Sequence, residues 1–200
     1  VAVLQADLVV ATGNAGKVAE LTAIFADLPL HLRLQSDFDV APAEETGETF
    51  VENAILKARA ASAQTGLPAL ADDSGLAVDA LGGAPGVYSA RYAGEGGDRA
   101  NNEKLLSAMS SVTDEERGAR FVCVLVLLRH AQDPTPLIAQ GQWEGSILRE
   151  PRGAQGFGYD PLFLPRAMTL SAAELPSSEK NRISHRALAA QQLRELLRRH

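Results

Sequence analysis

Apolar positions along the 200-residue chain follow two rhythms, and their alternation lays out the elements. Leu8 to Ala11 is an unbroken apolar run and predicts a buried strand. Lys17 to Ala26 instead spaces Val18, Leu21, Ile24 and Phe25 along one side of a helix. His31 to Gln35 predicts a second strand, followed by the acidic loop "SDFDVAPAEETG". Thr49 and Glu52 stand at capping-box spacing, so a helix should open at Phe50 and run to about Gln64, with Phe50, Ile55, Ala58 and Ala61 inward. "PALA" predicts a short strand that ends on Asp72-Asp73-Ser74-Gly75. After the Gly-rich segment "LGGAPGVYSARYAG", a helix is predicted over Arg99 to Met109. "RFVCVLVLLRH" has strand character, and "PLIAQGQWEGSI" alternates well enough to pair with it. "REPRGAQGFGYDPLF" reads as loop before a last short strand. "SEKNRISHRALAAQQLRELLRR" closes the chain as an amphipathic helix with Ser184 as N-cap. No repeat, low-complexity tract or linker interrupts this pattern, so the reading is one α/β domain over residues 1–200, with a cleft between two lobes.

Composition narrows the partners. A hydrophobic content of 46% with 22% charged residues is ordinary for a soluble globular chain. The net charge of -6 argues against a nucleic-acid polymer, which calls for a broad basic face. A small polyanion needs only a few cations gathered in one pocket. The single cysteine, Cys123, excludes an internal disulfide or a cysteine-built metal site and suits a reducing cytoplasm. The apolar run Val122 to Leu128 is far short of the roughly 20 residues that span a bilayer, so no membrane partner is expected. "VAVLQADLVV" lacks the basic region and cleavage site of a signal peptide.

Among nineteen Lys and Arg residues, only Lys17, Lys57, Lys104 and Lys180 are lysines, and three of these fall in segments that stand out on other grounds. A lysine is a compact point charge suited to phosphate oxygens; four scattered surface lysines are the ordinary alternative. "TGNAGK" joins a strand to a helix start, where backbone N–H groups and the helix dipole favour an anion. Gly13 and Gly16 allow close approach, Thr12 and Asn14 can donate, and Lys17 supplies charge. The segment fails the P-loop pattern, because Ala11 stands where its first Gly belongs and Val18 follows the lysine. An ordinary turn capped by Asn14 fits the same residues. On the next helix Asn53 and Lys57 share one face, which either lines a pocket or is solvated.

"ALADDSG" places two adjacent carboxylates at the end of an apolar strand, where α/β sheets put ligands. Neighbours on an extended chain point to opposite faces, so Asp72 and Asp73 reach one point only if the chain turns. Magnesium takes one or two carboxylates plus substrate phosphates, and Glu44 or Glu45 is placed to supply another. An Asx-turn without a ligand is the alternative. In "GFGYDP" a base could stack on Phe157 while Asp160 or backbone groups read its edge, and a plain turn is equally compatible. "EKNRISHR" gathers Lys180, Arg182, His185 and Arg186 at a helix start, against the dipole's preference unless an anion binds there.

Together "TGNAGK", "EETGETFVENAILKA", "ADDSGLAVDALGGAPGVYSARYAG", "GFGYDP" and "EKNRISHR", in this order between residues 9 and 187, closely resemble the inosine triphosphate pyrophosphatase family, nearest its bacterial dITP/XTP pyrophosphatase branch. The resemblance implies an α/β fold: a mixed central sheet with flanking helices, in two lobes around a central substrate cleft. It implies magnesium-dependent hydrolysis of noncanonical purine nucleoside triphosphates (dITP, ITP, XTP) to the monophosphate and pyrophosphate. It further implies a cytoplasmic homodimer that cleanses the nucleotide pool. Substrate contacts carried over are Thr12, Gly13, Asn14, Ala15, Gly16, Lys17, Lys57, Ser74, Phe157, Gly158, Tyr159, Asp160, Lys180, His185 and Arg186. Asp73 becomes the proton acceptor and a metal ligand, and a loop glutamate, Glu45 in preference to Glu44, the second ligand. Competing readings are a Maf-type pyrophosphatase with other substrates, a non-catalytic nucleotide-binding regulator, and a P-loop transferase. A substrate panel, hydrolysis-free dITP binding and transfer to an acceptor distinguish them in turn.

Overall fold

Six strands form one sheet in the order β2-β1-β3-β4-β5-β6 in the computed structural model, which describes residues 7–199. They are β1 (Asp7–Ala11), β2 (His31–Leu34), β3 (Ala69–Val78), β4 (Gly118–Leu128), β5 (Leu137–Ile147) and β6 (Phe163–Pro165). Among the described residues five α-helices accompany them: α1 (Ala15–Ile24), α2 (Phe50–Thr65), α3 (Gly97–Ala108), α4 (Ser177–Ile183) and α5 (His185–Arg199). β1 runs parallel to β2 and β3, whereas β5 and β6 are antiparallel, so the sheet is mixed as expected. β5 neighbours β4, as its alternation suggested. The reading of no signal peptide rests in part on residues 1–6, which lie outside the described residues.

The capping box is present: Thr49 Oγ1 accepts from Glu52 N at 3.3 Å and the Glu52 carboxylate accepts from Thr49 N at 2.9 Å. Gly66, at φ 71°, ends the same helix in the left-handed conformation that glycine adopts without steric cost. Two expectations need correction. β3 does not end at Ala71 but continues to Val78, carrying Asp72 and Asp73 mid-strand. Buried Leu76 and Val78 extend it, and ion pairing makes its two carboxylates tolerable inside. The closing helix is broken at Ser184, fully buried and extended at φ −70°, ψ 165°, so Lys180 belongs to α4 while His185 and Arg186 open α5.

The chain divides into two compact units: the described residues up to Asp73 with Cys123–Gly141 and the chain from Arg186 onward, and Ser74–Val122 with Gln142–His185. In the first unit the strand alternation sorts side chains onto two layers. Leu8, Val10, Leu70, Cys123, Leu125 and Leu127 pack with Leu21 and Phe25 and with Ala189, Ala190 and Leu193 of α5. Val9, Ala11, Ala69, Ala71, Val124 and Val126 pack with Ala54, Ala58 and Ala61 of α2. Each large side chain so buried contributes roughly 1.5–3 kcal/mol. The second unit has its own core, with Leu76, Val78, Leu105, Met109, Phe121, Trp143 and Phe163 at its centre. Among the described residues no helix is long and apolar enough to cross a membrane.

Candidate active site

The two-residue period of β3 decides what its adjacent aspartates meet. Asp72 continues the face of Leu70, toward α1 and α5, and Asp73 continues the face of Ala71, toward α2. The two carboxylates therefore acquire different partners.

Asp72 is fully buried. Arg186 Nε donates to its Oδ2 at 2.7 Å, Lys17 Nζ lies 2.8 Å from Oδ1, and Cys123 Sγ is 3.3 Å from Oδ2. Arg186 pairs through Nη1 with Glu20 as well. Burial opposes the Asp72 charge, but Arg186 and Lys17 prevail and hold its carboxyl well below the usual range. Burial, reinforced by the charge of Asp72, pushes the Cys123 thiol up, so it stays protonated and unreactive.

Asp73 is 6% exposed. Lys57 Nζ donates to its Oδ1 at 2.5 Å and lies 3.2 Å from Glu45 Oε1, while Glu44 is exposed. Asp73 Oδ2 is buried and has no hydrogen-bond partner among the described residues. Burial raises the Asp73 carboxyl above its ordinary value, more than Lys57 and Lys17 lower it. For Lys57 burial works against the charge, yet Asp73 and Glu45 outweigh it and raise the ammonium.

At the strand-to-helix turn, Asn14 Oδ1 accepts from Lys17 N at 3.0 Å and caps α1, whose first residues are Ala15 and Gly16. Thr12 Oγ1 accepts from Asn14 N at 3.2 Å, and Val18 packs into the α1–α5 layer. Asn53 does not face solvent. It is fully buried, accepting from Gly47 N at 2.8 Å and donating to Gly47 O at 3.2 Å, and so pins the end of the acidic loop to α2.

The second unit holds the remaining predicted residues. Asp160 Oδ2 accepts from Phe157 N at 3.0 Å and from Lys180 Nζ at 2.5 Å, and that ammonium sits 5.0 Å from the Phe157 ring centroid. Gly158, at φ 62°, donates to Asp98 Oδ2 at 2.6 Å and accepts from Asn102 Nδ2 at 2.9 Å. Tyr159 is buried and its hydroxyl donates to Ser89 O at 2.8 Å. His185 stacks on Phe121, ring centroids 4.8 Å apart at 13°, and lies near-parallel to Trp143 at 6.4 Å. Ser74 is the half-buried first residue of this unit.

Thus the first unit brings together Lys17, Glu45, Lys57, Asp73 and Arg186; the second brings together Phe157, Asp160 and Lys180, and sets His185 apart from them, against Phe121 and Trp143. The neighbours His185 and Arg186 part company: one stacks among aromatics, the other is enclosed by carboxylates. Sequence reasoning missed Glu20, Asp98, Asn102, Phe121 and Trp143. Asp98 and Asn102 did carry a signal, a polar i, i+4 pair, but a solvated helix face looks the same.

No group of three or more His, Cys, Asp and Glu among the described residues could hold a metal ion. Asp73 and Glu45 make a two-carboxylate set. Magnesium typically takes one or two protein carboxylates and completes its octahedron with water and phosphate oxygens. The buried, unpartnered Asp73 Oδ2 is the lone-pair donor such a set requires, so these residues fit the ion.

The model of the Ham1 family matches residues 8–196. The dITP/XTP pyrophosphatase of Yersinia pestis is 59% identical over 192 residues, covering 96% of this chain and 98% of that protein. The dITP/XTP pyrophosphatase of Xanthomonas oryzae pv. oryzae is 61% identical over 191 residues, 95% of this chain and 96% of its own. The solved structure of a HAM1 protein from Coxiella burnetii superposes with a TM-score of 0.90 at 50% identity, covering 98% of this chain and 100% of that one. With a family model matching nearly the whole chain and relatives matched nearly end to end, the chain belongs to the Ham1 family.

Proposed function

We propose that this chain hydrolyses dITP, ITP and XTP to the nucleoside monophosphate and pyrophosphate with magnesium, clearing these nucleotides from the cytoplasmic pool as a homodimer in which residues 1–200 form one catalytic domain. The observation that carries the reading is Asp73, a buried carboxylate with one oxygen on Lys57 and the other without a partner. The printed activity of the Yersinia and Xanthomonas relatives supports the substrate class.

Asp73 and Glu45 would hold the magnesium ion, which supplies positive charge to the triphosphate and the departing pyrophosphate. Asp73, its carboxyl raised by burial, accepts a proton from a water whose oxygen bonds to the α-phosphorus. The bond from that phosphorus to the oxygen bridging to the β-phosphorus breaks, and pyrophosphate leaves with the electron pair. Lys57 fixes the Asp73 carboxylate in one orientation. Lys17, anchored on Asp72 at the start of α1, adds its charge to the helix-start amides that attract phosphate. Asp72 takes no proton, because Arg186 and Lys17 keep it ionised.

For the base, the residues that the sequence assigns are Phe157 and His185. Phe157 offers a stacking face, and the His185 ring, held by Phe121, presents a donor to the 6-keto oxygen. Adenine carries an amino group there, and facing donor with donor costs about 1–3 kcal/mol. A His185→Ala variant with an unchanged dITP to dATP preference would move the selection elsewhere.

The decisive assay separates pyrophosphate from phosphate release for dITP, XTP, dATP and dGTP. Pyrophosphate should appear from dITP and XTP, vanish on chelation and return with magnesium. Phosphate release, or dITP binding without turnover, would refute the reading. Light scattering should give twice the mass of one chain.

A further inference from the structure

We propose that Asp98 and Asn102 are positioning residues that set the conformation of the Phe157–Asp160 loop and so determine base selectivity, an inference that rests on the function proposed above. One turn apart on α3, they occupy both backbone polar groups of Gly158: Asp98 Oδ2 accepts from its N–H at 2.6 Å and Asn102 Nδ2 donates to its carbonyl at 2.9 Å. A glycine peptide gripped at both ends by one rigid helix loses the rotational freedom that glycine otherwise confers. Gly158 sits at φ 62°, yet a Cβ there would meet nothing within 4 Å, so backbone conformation rather than crowding calls for glycine. The clasp holds that conformation.

The helix that bears the pair is itself fixed. Leu105 and Met109 at its end are fully buried in the second unit's core. Buried Asn101 accepts from Ala93 N at 2.7 Å and donates to Ala90 O at 3.2 Å, tying α3 to the short 3-10 turn Gly86–Arg91. That same turn receives the Tyr159 hydroxyl on Ser89 O. Residues 157–160 are therefore held at successive points: Phe157 N by Asp160, Gly158 by Asp98 and Asn102, Tyr159 by Ser89, and Asp160 by Lys180. Of these, the Gly158 clasp alone comes from side chains outside every segment assigned to substrate. Asn102 Oδ1 is buried without a hydrogen-bond partner among the described residues. The amide spends its N–H on Gly158 and leaves its oxygen unpaired at a cost in stability.

The geometry predicts an effect on recognition with the chemistry untouched, since neither residue belongs to the sequence-assigned catalytic set. Asp98→Ala, Asn102→Ala and Asp98→Asn would be compared with wild type in steady-state kinetics on dITP and dGTP, thermal unfolding, and amide exchange at Gly158. The two alanine variants should speed Gly158 exchange, raise KM for dITP about fivefold or more, and narrow the dITP to dGTP ratio of kcat/KM by about tenfold, with kcat within about twofold. Asp98→Asn keeps an acceptor and should recover most of both losses. Unchanged KM and selectivity despite faster Gly158 exchange would overturn the inference. So would losses that follow the unfolding temperature alone, or an Asp98→Asn variant no better than alanine. Wild-type protein releasing no pyrophosphate from dITP would instead remove the proposed function, and this inference with it.

Discussion

Replacing Asp72 or Asp73 by Asn, one position apart on β3, should have opposite consequences. Asp72 is a fully buried anion between Arg186, whose side chain is 1% exposed, and Lys17, at 14%. Removing one partner of a buried pair costs about 3–5 kcal/mol, because the remaining charge is stranded. Glu20 stays on Arg186 and limits the loss to the lower end, about 3 kcal/mol. For a chain of this size that is roughly 6–12 °C in Tm. Asp73→Asn removes an anion that burial already disfavours, keeps an acceptor for Lys57, and leaves Glu45 at 3.2 Å from that ammonium. Its stability should stay within about 1 kcal/mol of wild type while turnover falls about 10²–10⁴-fold with the proton acceptor gone. Unfolding in urea with a chelator present measures both without metal-linked stabilisation. The pH dependence has a definite sign. The folded carboxyl of Asp72 lies below its unfolded value, so its stabilisation is complete above about pH 4 and fades as pH falls through the lower folded value. The gap between wild type and Asp72→Asn should therefore close on acidification. Equal losses for the two variants, or a gap that widens in acid, would refute the assignment of these carboxylates to separate partners.

Lys57→Ala removes the ammonium shared by Asp73 and Glu45 and should lower kcat/KM for dITP about 10²-fold, read in the pyrophosphate assay. Gly156→Ala forces a side chain onto φ 76° and its Cβ onto Asp160 Oδ2, so KM for dITP should rise about tenfold while the protein stays folded. Asp133→Ala should cost about 1–3 kcal/mol in urea unfolding with unaltered kinetics, since buried Asp133 accepts from Arg129 N, Nε and Nη2 and from Thr135 N. Arg129 lowers the Asp133 carboxyl, so this loss too should shrink as the solution is acidified below about pH 4.

Much of this protein was settled locally. The apolar run from Leu8, the Thr49–Glu52 capping box and the alternation of β4 and β5 each specify an element through interactions within a few residues. The strand period separates Asp72 from Asp73, a separation visible in the sequence because it follows from backbone geometry alone. What the sequence left open was the continuation of β3 past Asp73, since charged residues look like a strand's end until their partners are known. Those partners come from far along the chain: Arg186 reaches Asp72 across 114 residues, and Lys57 reaches Asp73 across 16. Asp98 and Asn102 grip Gly158 across 60 and 56 residues, through side-chain bonds to backbone that leave no periodic mark. Residue types and spacings thus determined which groups were available, including the cations. Packing of the helices against the sheet decided which carboxylate each cation neutralises, because an ion pair depends on distance and burial, and only the folded chain sets either.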